Sequence, residues 1–296
     1  MTGTRAQQRV ETEASARPAK KHKKIHASQV INFAVLILMS AIMLYPFLLI
    51  INIALKSYKD FLTDPLGIVS FSSIRWENFS DVWEDLKVFE RIWNTLYMTA
   101  GACILGCLIP ALAAFPISRN HFRGSGKVYT FILASMFFPG SLVASITIAK
   151  ALALYDSPLG MIIMWGAGGP AMNIFMMVGF TKGLPRDLDD AAFMDGCGYF
   201  RYILQIAMPL LMPIIATIIT FKAVGCWNDF LNPLIYLPDA RYRTISTGLY
   251  MFMGSYSNQW PLLACAILII ASPMVVLYLF MQRFIIEGMI SGALKG

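Results

Sequence analysis

The chain has 296 residues, 57% of them hydrophobic and only 14% charged, and carries a formal charge of +7. Soluble domains are about 45–50% apolar and about 25% charged, so the composition excludes an ordinary soluble enzyme and indicates a membrane protein. The positive excess sits largely in the amino-terminal tail, where Arg17, Lys20, Lys21, Lys23 and Lys24 run directly into apolar sequence, which suits a lipid surface rather than nucleic acid.

Six segments reach the roughly 20 apolar residues that a helix needs to cross a bilayer: 30–55, 92–118, 128–149, 158–180, 212–236 and 261–282. Each is expected to be helical, because lipid offers no partner to an unpaired backbone group. The first is longer than the core of about 7–15 residues of a cleavable signal and should remain a span. The connection 56–91 holds seven acids against five bases and carries Trp76 and Trp83. It reads as external, whereas the tail and the next connection, with Arg119, Arg123 and Lys127 and no acid, read as cytoplasmic. Six spans then leave both termini and the connection 181–205 in the cytoplasm.

Two spans are interrupted, the third by Pro139-Gly140 and the fourth by Gly166-Ala167-Gly168-Gly169-Pro170. Such breaks mark a binding region or a bending point during alternating access, or else permit tight packing. Gly124-Ser125-Gly126-Lys127 is not a phosphate loop: His121 stands where its first glycine would be and Val128 where its Ser or Thr would be. No cofactor is expected in this chain. Cys103, Cys107, Cys197, Cys226 and Cys265 lack Cys-x-x-Cys spacing, and His22, His26 and His121 lie beside basic clusters. Neither set offers a metal site or a catalytic imidazole.

The fourth connection contains Gly183-Leu184-Pro185-Arg186-Asp187-Leu188-Asp189-Asp190-Ala191-Ala192-Phe193-Met194-Asp195-Gly196. Pro185 suits a helix start, Asp187, Asp189 and Asp190 suit the positive end of a helix dipole, and Gly196 suits a left-handed stop. Tyr199, Phe200, Tyr202, Ile203 and Ile206 then recur at helical spacing up to Pro209. The pattern predicts two short amphipathic helices bent at Gly196. In the fifth span, Lys222 lies near mid-membrane, where an ionisable group is by default a functional candidate. Asp229, seven residues on, is on nearly the same face but about 10 Å along the axis. With Asn173, Trp227 and Asn228 these residues are candidates for the solute path; they read equally as polar packing groups satisfied by a companion subunit.

Asp190-Ala191-Ala192, three residues, Gly196, nine residues, Ile206, one residue and Met208-Pro209 resembles the cytoplasmic signature of the integral membrane subunits of binding-protein-dependent ABC importers, with Asp190 for the usual glutamate and Met208 for the usual leucine. Asn94-Thr95-Leu96, Pro139-Gly140, Trp227-Asn228-Asp229-Phe230 and the closing Gly292-Ala293-Leu294-Lys295-Gly296 are similar to features of the carbohydrate branch, the second permease of maltose and glycerol-3-phosphate importers.

That resemblance implies an all-α integral membrane protein of the cell membrane, with six transmembrane helices, both ends inside, and the type I ABC importer fold. Its expected parts are a basic tail (1–28), a first span (29–56), an extracytoplasmic loop (57–89), a permease core (90–285) with the coupling loop at 181–206, and a cytoplasmic tail (286–296). Its implied partners are a second homologous permease in a heterodimer, a cytoplasmic ABC ATPase dimer, an extracytoplasmic solute-binding protein and a sugar; no nucleic acid is implied. Contact with the ATPase is expected from Asp187, Asp190, Ala191, Ala192, Asp195, Gly196, Ile206, Pro209, Lys295 and Gly296, although simple helix propensity also accounts for the alanines. A permease for a sugar phosphate, amino acid or peptide, and a secondary transporter, are the competing readings.

Overall fold

A computed structural model of the chain describes residues 27–138 and 140–293. The basic tail, Pro139, Lys295 and Gly296 fall outside the described residues. Among those residues every regular element is helical. Besides short 3-10 turns at Phe71–Ser73, Ser135–Phe137 and Ala240–Tyr242, they are in order α1 (Ala27–Ala54), α2 (Tyr58–Thr63), α3 (Glu77–Asp85), α4 (Val88–Arg119), α5 (Ser125–Ala134), α6 (Leu142–Ala151), α7 (Pro158–Ala167), α8 (Pro170–Lys182), α9 (Asp187–Met194), α10 (Tyr199–Leu210), α11 (Met212–Asn228), α12 (Leu231–Tyr236), α13 (Ile245–Ser255) and α14 (Trp260–Ala293). The chain divides into two compact units, residues 1–49 and 50–296, and every helix after α1 belongs to the second.

Among the described residues three helices are long and apolar enough to cross a membrane unaided, over Ile31–Ala54, Val88–Arg119 and Trp260–Phe280. The other expected spans are not straight helices. Ser125–Phe137 and α6 meet at 115°, and α7 and α8 at 51°. The segment expected at 212–236 is interrupted without a Gly-Pro signal: α11 stops at Asn228 and α12 restarts at Leu231. Ahead of it, α10 meets α11 at 83°.

α4 is the mast of the second unit, 32 residues or about 48 Å at 1.5 Å per residue. Its buried positions include Thr95, Met98, Thr99, Ala102, Cys103, Gly106, Cys107, Pro110, Ala111, Ala114 and Phe115, the three-and-four spacing of a single face. Most are small, and α7, α8 and α11 pack along them, as expected where lipid supplies no hydrophobic drive between helices and close backbone approach must serve instead. Apolar clusters succeed one another along the mast. Val88 joins Val82, Ile245 and Cys265; Met98 joins Met161 and Trp165; Phe115 joins Met177, Tyr202 and Ile203.

Pro110 and Pro116 each leave the carbonyl four residues earlier without its helical donor. Both carbonyls are recovered from neighbouring elements: Asn173 Nδ2 donates to Gly106 O at 3.0 Å, and the Tyr199 hydroxyl to Leu112 O at 2.6 Å. In α14 the carbonyl of Ile269, four residues before Pro273, accepts from Ser272 Oγ at 2.8 Å. At the other end of the mast, Asn94 Nδ2 donates to the carbonyls of Arg241 and Arg243, and Thr95 Oγ1 accepts from Ile245 N. The Asn-Thr pair thus anchors the chain entering α13.

Candidate functional site

The acidic first turn of α9 holds Asp187, Asp189 and Asp190, at the positive end of the helix dipole. Pro185 lies two residues ahead of the helix rather than at its first position. α9 ends in a Schellman turn, with Cys197 N donating to Ala192 O and Gly196 N to Phe193 O, both at 3.0 Å. Gly196 takes φ +73° there, a conformation open to glycine without a Cβ penalty, and the chain folds back into α10. The result is a helical hairpin.

Beneath it is a charged mount. Asp189 Oδ2 lies 2.6 Å from Arg119 Nε, the two side chains 8% and 5% exposed. Asp189 Oδ1 accepts from Arg119 Nη2 at 3.3 Å and from the Tyr202 hydroxyl. Both Arg119 Nη atoms also reach Leu184 O at 3.2 Å. The Tyr202 ring packs against Phe115 of α4, with centroids 4.7 Å apart, and stacks on Phe193 of α9 at 5.7 Å. The end of α4, the approach to α9, α9 itself and α10 therefore meet at one carboxylate.

The mount sorts the coupling candidates by face. Asp187, Asp190, Ala191, Asp195, Gly196 and Pro209 are exposed, and Ile206 is half-buried. Ala192 instead turns inward, 5% exposed in the cluster around Phe115, so its small size serves this chain's own packing. Between the exposed acids stand bare apolar side chains, Met194 at 88% and Phe200 at 67% exposure. Lys295 and Gly296 lie outside the described residues.

A second feature is a cavity of about 760 Å³ at the break between α7 and α8. Gly169, at φ +69°, turns the chain and Pro170 restarts the helix. At the break Trp165 O accepts from Gly168 N at 3.1 Å, and Lys222 adds a side-chain donor to the exposed carbonyls: its Nζ donates to Trp165 O at 2.8 Å and Gly168 O at 2.5 Å. A cation at a helix carboxyl end also opposes the dipole. Asp229 does not pair with Lys222. Its Oδ2 accepts from Trp165 Nε1 at 2.8 Å and Asn232 Nδ2 at 2.7 Å, and its Oδ1 from Asn232 N at 3.1 Å. Trp165 thus stands between the two charges, its carbonyl to one and its indole to the other.

The solute-path candidates separate. Asn173, Lys222 and Asp229 line this cavity together with Trp165, Asn232 and Tyr236; the Tyr236 hydroxyl is buried without a partner among the described residues. Trp227 is buried among Leu263, Ile270 and Phe252. Asn228 bonds back to Val224 O at 3.0 Å and, with Trp227, borders a different, largely apolar cavity beside Tyr250 and Tyr278.

Residues 102–290, which include both features, match the family described as binding-protein-dependent transport system inner membrane component. The chain belongs to this family. The permease is similar to the melibiose/raffinose/stachyose import permease protein MelC of Bacillus subtilis (strain 168), 29% identical over 254 residues covering 85% of this chain and 91% of that protein. It is also similar to the trehalose/maltose transport system permease protein MalG of Thermococcus litoralis, 28% identical over 265 residues covering 88% and 94% respectively. A chain from the crystal structure of a bacterial ABC transporter involved in the import of the acidic polysaccharide alginate shares the fold, with TM-score 0.76 and 19% identity over 88% of this chain and 97% of that one. The protein is accordingly a multi-pass inner-membrane transport subunit with the type I importer fold, not an enzyme.

Within the permease, the sequence reading assigned Arg119 to membrane topology and Asp189 to a helix dipole, and missed that they bond. Asp189 is three residues before Ala192, hence on the same helical face, but Ala192 was itself expected to face the ATPase, so that register pointed the wrong way. Arg119 is 70 residues from its partner, and nothing local marks it.

Proposed function

We propose that this permease is one half of the translocation path of an ATP-driven importer for a sugar or oligosaccharide, working as a heterodimer with a second permease. ATP is bound and hydrolysed on a separate cytoplasmic ATPase dimer, which receives the hairpin of α9 and α10; an extracytoplasmic binding protein delivers the solute. The observation that carries this reading is the hairpin itself. Asp187, Asp190, Ala191 and Asp195 stand exposed beside bare Met194 and Phe200, a mixed polar and apolar face on a rigid base, suited to a protein cleft. Placing that face in the cytoplasm follows from the basic character of the tail and of the Arg119–Lys127 connection, with six crossings and both ends inside.

The sugar assignment is supported by relatives whose names specify melibiose, raffinose, stachyose, trehalose and maltose. The cavity is compatible with it: Asn173, Asn232, Tyr236 and Trp165 supply neutral polar groups and an aromatic face. A sugar phosphate is less well supported, since two of the three ammonium protons of Lys222 are already given to carbonyls. The test is ATP hydrolysis by the purified complex in proteoliposomes, with and without a panel of oligosaccharides and the binding protein, for the wild type and Gly196→Asp. Stimulation by one sugar, lost in the variant, is the expected result. Hydrolysis indifferent to every sugar and to the variant would overturn the reading.

A further inference from the structure

We propose that Arg119, Asp189 and Tyr202 form a rigid joint that makes the hairpin and α4 one body, so that displacement of the hairpin is carried along α4 to the cavity. These are positioning residues, and their consequence for transport, though not their geometry, rests on the importer reading above.

Stability alone does not account for the joint. Burying an ion pair removes two charges from water, and well-packed apolar residues of similar volume usually stabilise as well or better. What the charged arrangement adds is a single geometry. Asp189 accepts hydrogen bonds from Arg119 Nη2 and from the Tyr202 hydroxyl and lies in ion-pair contact with Arg119 Nε, while Arg119 also reaches Leu184 O. A slide or roll of α9 against α4 breaks several of these bonds at once inside an apolar cluster, where a lost partner is not replaced by water. Apolar surfaces would tolerate the same slide.

The mast then leads to the cavity. Gly106 is thirteen residues from Arg119 on the same helix, about 20 Å along the axis. Its carbonyl accepts from Asn173, and its Cα faces Lys222, whose Cε would stand 3.0 Å from an added Cβ. Lys222 in turn holds the end of α7. Rotation or translation of α4 is therefore felt by Asn173, Lys222 and the α7–α8 break.

The test uses the full chain in its complex in nanodiscs, native cysteines replaced, with spin labels at exposed Ile104 on α4 and exposed Met194 on α9. The probe variant is Arg119→Met with Asp189→Leu, chosen to keep the site filled and uncharged. The distance distribution between the labels is expected to be narrow in the parent and to broaden in the variant, and ATP consumed per solute imported to rise about tenfold. Tyr202→Phe keeps the ring on Phe115 and removes only the bond to Asp189; a smaller broadening is expected, and this variant decides the question should the double substitution fail to fold. Widths unchanged in the variants, or a parent distribution already broad, overturn the joint. Absence of ATP-driven uptake in the parent would count against the importer reading, while the distance measurement still judges the joint.

Discussion

The hairpin mount and the cavity each hold a charge inside the protein, and they neutralise it differently. At the mount, Arg119 meets a carboxylate of opposite charge from another helix. At the cavity, Lys222 donates to backbone carbonyls at a broken helix. The first arrangement ties two elements through side chains whose geometry is specific and whose loss strands a buried charge. The second ties a side chain to a helix end, and leaves the cavity wall free of an opposing carboxylate at the ammonium. One arrangement suits a part that must move as a block, the other a part that must change shape around a passing solute.

Unequal substitution costs would expose this difference. The largest effect is expected for Arg119→Met alone, which leaves Asp189 charged and buried; thermal unfolding in detergent should show a loss of about 3–5 kcal/mol, with the double apolar variant close to wild type. A double variant as unstable as the single one would mean that the pair stabilises the fold outright. Lys222→Met leaves Gly168 O without its donor, Trp165 O keeping its bond from Gly168 N, and should cost about 1–3 kcal/mol by the same assay, less than Arg119→Met because no charge is stranded. If it cost more, the cavity would be the more tightly bound region. Asn173→Leu strands only the Gly106 carbonyl left free by Pro110, for an expected loss of about 1–2 kcal/mol. Gly196→Ala should be the mildest, about 1 kcal/mol for the left-handed backbone, since no atom lies within 4 Å of its Cβ position. Binding of the ATPase to that variant, followed by co-purification, should persist.

Much of this was open to reading along the chain. The hairpin lies where the Asp190-Ala191-Ala192 spacing puts it, because capping and helix dipoles act over a few residues. The break at Gly168 and Gly169 was equally local. The break after Asn228 was not, because it depends on Asp229 being held by Trp165, 64 residues away. Nor could the sequence separate Trp227 and Asn228 from Lys222 and Asp229: all four lie on one short stretch, and which of them borders which cavity depends on how α11 is rotated against α4, α13 and α14.

The sequence by itself determined that the chain is a helical membrane protein, where its apolar segments lie, and where a capped hairpin interrupts them, because hydropathy, proline, glycine and helix-end charge are properties of neighbours. Tertiary structure alone decided which proline-freed carbonyl is met by Asn173 and which by Tyr199, that Ala192 faces inward, and that Arg119 closes on Asp189. Inside a bilayer-spanning bundle an unpaired backbone group is costly, but that rule names no partner; only the packing of distant helices does that.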